Sequence, residues 1–290
     1  MTRRWMAMGL LAAGFCLPFA GAVMAQDRCD PALGHPPLAR KGHLIAAINP
    51  TVVPIQYVDD DGNIVGLDPD FGNAIAKRLC LTMDFQSTQF ATMIPILKEG
   101  RIDLIDSFMF YTPDRASQVI MVPYGASTMA IVVPKHNTDD VAGPEYFSGK
   151  RFGVELGTVD YQIAKEASEA LEKSGKPAID LHSFATYADV LQALSAGQVD
   201  GAFVGTEQAV WYRNTGVAFF RIALSGYKPH AEALAFSNKT IADAVVKVMN
   251  DMKADGSLDA LFAKYGHCAL PGPYRITTGP IPEPVCKDIK

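Results

Sequence analysis

The chain has 290 residues, with 26 basic and 31 acidic side chains and a formal net charge of −5. An acidic balance offers no basic face to phosphates, which excludes nucleic acid as the expected partner. The length suffices for two lobes, each with its own core. Residues 1–25 read as a cleaved export signal. Arg3 and Arg4 form the basic n-region, residues 6–19 the apolar h-region, and Val23-Met24-Ala25 the small-residue cleavage site. As a membrane anchor the apolar run falls short of the roughly 20 residues a span needs, and Pro18 interrupts it. Phe15 before Cys16 is too bulky for the usual lipoprotein site. A soluble periplasmic protein is the expectation.

Residues 43–48 form a short apolar run that reads as a buried strand. Residues 55–58 and 63–66, joined by Asp59-Asp60-Asp61-Gly62, read as a hairpin. The acidic turn lacks the distal glutamate of a calcium loop and is best explained as solvated. Asp68 then reads as a helix cap, with Pro69 at the first helical position and Phe71, Ile75 and Leu79 on one face. Strand (81–85), helix (90–98) and strand (102–105) follow, and a second alternation runs 151–155, 160–173, 179–182, 187–196 and 199–204. Strands alternating with helices of this size imply a mostly parallel sheet. A helix from Thr240 or Asp243 buries Val245, Val246, Met249 and Met252, another starts near Leu258, and a Pro-rich tail closes the chain.

One phrase occurs twice. Leu97-Lys98-Glu99-Gly100-Arg101-Ile102-Asp103 and Leu194-Ser195-Ala196-Gly197-Gln198-Val199-Asp200 each describe a helix stopped by glycine and fed at once into a strand. Its repetition implies two similar α/β lobes and a cleft between them, where small ligands bind. The extended runs 131–134 and 233–236 read as paired crossovers between the lobes, suited to hinge bending.

Ligands of open α/β sheets bind beyond the carboxyl ends of the strands. Four segments lie there: 49–54, 107–115, 156–160 and 204–207. Arg115, in a short helix opening after a strand, can take a carboxylate in two-pronged fashion, aided by helix amides; the alternative is an exposed arginine paired with Asp114. Gly157-Thr158 either binds an anion or simply caps a helix. Phe108, Phe110 and Tyr111 wall an apolar ligand or pack the core. Glu207 pairs with a ligand cation or lies in solvent. No P-loop, GxSxG or HExxH occurs, so no cofactor is expected.

Four cysteines follow the signal, Cys29, Cys80, Cys268 and Cys286. Export makes disulfides the expectation. Of three connectivities, chain order points to Cys29–Cys80 and Cys268–Cys286, with free buried thiols as the alternative.

Several phrases, in order and spacing, resemble the bacterial extracellular solute-binding proteins of family 3, the polar amino-acid class served by ABC importers. They are Gln56-Tyr57-Val58-Asp59 through Gly66-Leu67-Asp68-Pro69-Asp70, Met93-Ile94-Pro95 through Gly100-Arg101-Ile102-Asp103, Tyr111-Thr112-Pro113-Asp114-Arg115, Gly149-Lys150-Arg151-Phe152-Gly153-Val154, Leu156-Gly157-Thr158 and Met252-Lys253-Ala254-Asp255-Gly256-Ser257. The resemblance implies an α/β, type II periplasmic-binding fold with Venus-flytrap closure: two α/β lobes on a two-strand hinge. The first lobe is expected to take residues 26–131 and 232–290, and the second 132–231. It further implies that Arg115 holds a ligand carboxylate, that Thr158 helps, and that Met93, Phe90 and Val52 line the ligand.

The chain departs from that pattern where ligand-binding hydroxyls are usual, carrying Phe108 and Phe110. The usual acid for an α-ammonium is replaced by Gly205, with Glu207 two residues on. A small carboxylate is therefore expected: an amino acid, a modified amino acid or an aromatic acid. It is delivered to an ABC permease of the inner membrane by a monomeric, non-enzymatic protein. The alternatives are an enzyme on the same scaffold, like the cyclohexadienyl dehydratases and using Glu207 or Asp160, and an exported sensor.

Overall fold

The computed structural model describes residues 38–282 and residue 284. The signal segment, Cys29 and Cys286 lie outside the described residues. In chain order the elements are β1 (His43–Ile48), β2 (Thr51–Val52), β3 (Gln56–Val58), β4 (Ile64–Val65), α1 (Leu67–Arg78), β5 (Thr82–Ser87), α2 (Met93–Lys98), β6 (Leu104–Ile105), α3 (Pro113–Gln118) and β7 (Ile120–Pro134). There follow β8 (Arg151–Glu155), α4 (Val159–Lys173), β9 (Asp180–Phe184), α5 (Tyr187–Ser195), β10 (Gly201–Gly205), α6 (Thr206–Asn214), β11 (Phe220–Phe236), α7 (Lys239–Ala254), α8 (Ser257–Lys264) and β12 (Cys268–Ala269).

One sheet runs β5-β1-β6-β11-β7-β10-β8-β9, with β12 added to β7. Its two ends are parallel α/β units, β5-β1-β6 in the first lobe and β10-β8-β9 in the second. Between them β7 and β11 run antiparallel from Phe220 opposite Pro134 to Phe236 opposite Ile120, with several register shifts. The crossovers expected as short extended runs are thus parts of two long strands. Each shift adds an unpaired residue and a local bend, so this ribbon curves from one lobe into the other. The hairpin of β3 and β4 is present and β2 extends it.

Strand β1 shows why the first lobe needs helices on both faces. Leu44 and Ala46 belong to one hydrophobic cluster, Ile45 and Ala47 to another. Side chains alternate across a strand, so an all-apolar run is stable only when covered on both sides. In the second lobe, Ile163, Ala164, Ala167 and Leu171 give α4 one apolar face.

The repeated phrase has the same geometry in both places. Gly100 and Gly197 end their helices in the left-handed region, φ 71° and 68°. The aspartate that follows then braces the first strand of its lobe. Asp103 exchanges bonds with Ile45, accepting at Oδ2 from its N–H (2.8 Å) and donating its own N–H to its carbonyl (2.8 Å). Asp200 does the same with Arg151 (both 2.9 Å).

Two local readings are corrected. Asp68 does not cap α1: Gly66 occupies that place with no side-chain cap. Asp68 is instead fully buried, accepting from the Phe108 amide (2.9 Å) and the Tyr124 hydroxyl (3.2 Å). The cap of α7 is Asn238, whose Oδ1 accepts from the amides of Thr240 and Ile241. Cys80 and Cys268 are both disulfide-bonded.

Candidate functional site

The first lobe's wall of the cleft begins where β1 ends. The Asn49 amide donates to Ser107 Oγ (2.9 Å), and Gln56 Nε2 donates to both the Asn49 carbonyl (2.8 Å) and Ser107 Oγ (3.1 Å). These bonds tie the loop after β1 to the loop after β6. In the latter, Phe108 adopts φ 48°, a left-handed conformation that costs a bulky residue about 1–3 kcal/mol. The Asp68 carboxylate on its amide holds it there. Its ring lies 5.4 Å from that of Phe110, which stacks on His230 at 5.0 Å.

Thr112 caps α3, accepting from the Arg115 amide at 3.1 Å. The arginine side chain turns back into the cleft, 8 % exposed. Its Nη1 donates to the Phe110 carbonyl (2.6 Å) and its Nη2 reaches the Gly157 carbonyl across the cleft (2.9 Å). The guanidinium carbon lies 5.3 Å from the centre of the Phe90 ring. Burial draws Arg115 down to about 10, which leaves it cationic at neutral pH.

The second lobe's wall carries two carboxyl groups. Strand β8 ends at Glu155, and Thr158 Oγ1 donates to the Glu155 carbonyl (2.6 Å) while capping α4 through the Tyr161 amide (3.3 Å). Asn49 Nδ2 donates across the cleft to Glu155 Oε1 at 2.6 Å. Asp160, in the first turn of α4, accepts from the Tyr187 hydroxyl at Oδ1 (3.1 Å). Burial lifts Glu155 well above the usual carboxyl range and Asp160 to about 6. A further bond, Gln208 Nε2 to the Thr51 carbonyl (2.9 Å), helps hold the lobes together. The cavity they enclose is about 20 Å³, room for about one water.

Of the residues read from sequence, Val52, Phe90, Phe108, Phe110, Arg115 and Thr158 line this cavity together. Gly157 supplies its carbonyl from just outside. Met93 is fully buried in the core of the first lobe, and Tyr111 packs in the same core with its hydroxyl on the Gly279 carbonyl (2.6 Å). Glu207 does not line the ligand cavity and is largely shielded from solvent. Ser127 Oγ donates to it at 2.6 Å and His267 Nδ1 lies 3.6 Å away. Its place near the cleft is taken by Gly205, against which the Phe108 ring packs.

Asn49, Glu155 and Tyr187 line the cavity but were not among the candidate residues, and Asp160 was considered only as an acid or base. The signal for Glu155 was present: an acid closing the strand after Phe152-Gly153-Val154, immediately before Leu156-Gly157-Thr158. Behind the cleft lies a second buried polar group. His267 Nε2 meets Glu232 Oε2 at 2.6 Å, with Glu207, Asp68 and Asp106 around them. Burial would push His267 down, but Glu232 and Glu207 lift it to about 9.

The profile of the bacterial extracellular solute-binding proteins, family 3, matches residues 44–267. The chain belongs to that family. The arginine-binding extracellular protein ArtP of Bacillus subtilis is 25 % identical over 91 % of this chain and 98 % of its own length. An ancestral arginine-binding protein, solved with arginine bound, is 28 % identical, with a TM-score of 0.70 over 77 % of this chain and 98 % of its own. An ancestral amino acid-binding protein described as a precursor of cyclohexadienyl dehydratase is 26 % identical, with a TM-score of 0.67 over 77 % and 95 %. The type II fold with its two α/β lobes is therefore that of a solute-binding protein. Among the described residues no helix is long and apolar enough to cross a membrane.

Proposed function

We propose that this protein captures a small carboxylate between its lobes for ABC import, and that Arg115 is the carboxylate anchor. The observation carrying this reading is the Arg115 guanidinium: buried, charged, set over Phe90 and bonded across the cleft to the Gly157 carbonyl. A carboxylate entering the cleft replaces a neutral carbonyl as acceptor, and the charged pair is the stronger bond. Thr158 and the amides opening α4 stand opposite, with Phe90, Phe108, Phe110 and Val52 as apolar walls. The relatives named for arginine binding support an amino acid as one such ligand.

The lobe boundaries fall inside the two long strands, after residue 131 in β7 and after residue 231 in β11, so closure bends one ribbon at two places. The cleaved signal, the periplasmic location, the monomeric state, the inner-membrane permease and the pairings Cys29–Cys80 and Cys268–Cys286 belong to the same proposal.

The test is a thermal-shift screen of the mature protein against amino acids, opines and aromatic acids. A ligand at about 100 times its Kd stabilises by about 2.7 kcal/mol. Arg115→Ala is expected to abolish that shift; an undiminished shift removes Arg115 from the site. One observation favours the enzymatic alternative, the buried Asp160 carboxyl at about 6 beside the cavity, a value suited to proton transfer. Mass spectrometry of a bound ligand over time separates the two, since a carrier returns its ligand unchanged.

A further inference from the structure

We propose that Phe108 and Gly205 form a size gate, a ring from the first lobe seated on a position of the second that has no side chain, which restricts the ligand to a short body beside its carboxylate. This deepens the carboxylate-binding reading and rests on it.

The residue at each position runs against backbone preference. Phe108 stands at φ 48°, in the region that favours glycine. Gly205 stands at φ −61° and ψ 139°, extended backbone open to any residue. Backbone geometry therefore explains neither choice, whereas the ring explains both. A Cβ on Gly205 would lie 3.2 Å from Cε1 and 3.4 Å from Cζ of Phe108, so a side chain there would crowd the ring out of its place. On the other side of the cleft the ring's backbone is fixed. Asp68, fully buried, accepts from the Phe108 amide at 2.9 Å. The Phe110 ring lies 5.4 Å away and is itself stacked on His230. Phe108 is thus a rigid wall, 6 % exposed.

The gate stands close to the carboxylate anchor. Arg115 reaches the second lobe just past the end of β8, at the Gly157 carbonyl. Phe108 meets that lobe at the end of β10, the next strand of the sheet. Neighbouring strands lie about 4.8 Å apart, so a ligand held by Arg115 has little length in this direction before it meets the ring. The cavity that Phe108 lines with Val52, Phe90 and Tyr187 measures about 20 Å³. A long side chain has to displace the ring or hold the lobes apart.

The experiment is calorimetry on the mature protein at neutral pH with glycine, L-alanine, L-arginine, L-phenylalanine, acetate, propionate and hydrocinnamate. The variants Phe108→Ala, Phe108→Gly and Gly205→Ala are run in parallel, with the double variant Phe108→Ala/Gly205→Ala. The parent is expected to bind the short compounds about tenfold or more tightly than the long ones. Both Phe108 variants are expected to reverse that order, gaining about tenfold for the long compounds and losing affinity for the short ones. Phe108→Gly also relieves the left-handed strain, which offsets the lost packing and keeps a folded variant in hand. Gly205→Ala is expected to weaken the short compounds in the parent and to change little once the ring is gone, the coupling that direct contact requires. A ring that merely packs the lobes together would lower every affinity by one factor. An unchanged order of ligands in both Phe108 variants therefore overturns the gate and leaves the carboxylate reading standing. A parent that binds L-arginine or L-phenylalanine as tightly as L-alanine does the same. Failure of every compound in the set to bind parent and variants alike overturns both.

Discussion

The two lobes are built on one plan and used for opposite purposes. Each ends a helix on a left-handed glycine, and each sets an aspartate against the first strand of its sheet. Yet the first lobe presents a cation to the cleft, Arg115, and the second presents two acids, Glu155 and Asp160. Repetition made the scaffold; the end of a strand and the first turns of the helices that open at the cleft made the site.

The shared brace is itself unequal, and the largest expected effect follows from that. Asp103 is 3 % exposed and accepts two amides, from Ala39 and Ile45, both at 2.8 Å. Burial pushes its carboxyl up. Asp200 has a side chain 39 % exposed and shares the work with the Arg151 guanidinium, whose bond holds it down. Removing Asp103 strands the buried Ile45 amide away from water and frees the Ala39 amide, whereas water can replace Asp200. Asp103→Ala is expected to cost about 3 kcal/mol and Asp200→Ala about 1 kcal/mol or less, read from urea denaturation of the mature protein. Equal losses would break the claim that the first brace is structural and the second peripheral.

The lobes differ next in how their buried acids are balanced. Behind the cleft, His267 sits among Glu232, Glu207, Asp68 and Asp106, with the Tyr124 hydroxyl on Asp68. The cleft acids Glu155 and Asp160 have a different counter-charge: burial raises Asp160, and Arg115 across the cleft opposes that rise. His267 is raised from 6.5 to about 9, so its contribution is full below about pH 6.5 and is lost as pH rises through about 9. Asp68, lifted by burial and by Glu232 from 3.8 to about 7, acts in the same sense at lower pH. The melting temperature is therefore expected to fall by several degrees between pH 6 and pH 9. In His267→Gln the fall above pH 7 should flatten while the part below pH 7 persists. An unchanged slope above pH 7 in the variant would move the origin of the effect away from His267.

What could be read from the chain alone follows the range of the interactions. The repeated phrase, the hairpin and the helices of both lobes were legible because their signals are local: a stop glycine, a turn, an apolar period. Arg115 and Thr158 were legible because each is fixed by its own short motif at a helix start. Asp68 was misread because a buried tertiary role, holding the strained Phe108 amide, overrode its capping propensity. The 17 residues of β11 were seen only at one end, since their partner β7 lies about a hundred residues away and the register shifts break the alternation. Glu155 escaped because its meaning comes from Asn49, which the fold brings to it from the other lobe.

The smallest expected effect concerns the place where the lobes nearly touch. Gly157 has φ 85°, and a Cβ there would lie 3.1 Å from both Cα and Cβ of Ala91 in the first lobe. Gly197, its counterpart as a left-handed glycine in the second lobe, has φ 68° and open space around it. Gly197→Ala therefore reports the backbone cost alone, about 1 kcal/mol of stability. Gly157→Ala adds a clash that exists only when the cleft is closed. Its melting temperature without ligand should match that of Gly197→Ala, because the lobes can open to relieve the contact. Its ligand affinity should fall about tenfold further, a difference of about 1.4 kcal/mol, because closure around the ligand restores the clash. Equal affinities in the two variants would mean that binding does not bring Gly157 against Ala91. The lobes would then hold their ligand at a wider angle than the one seen here.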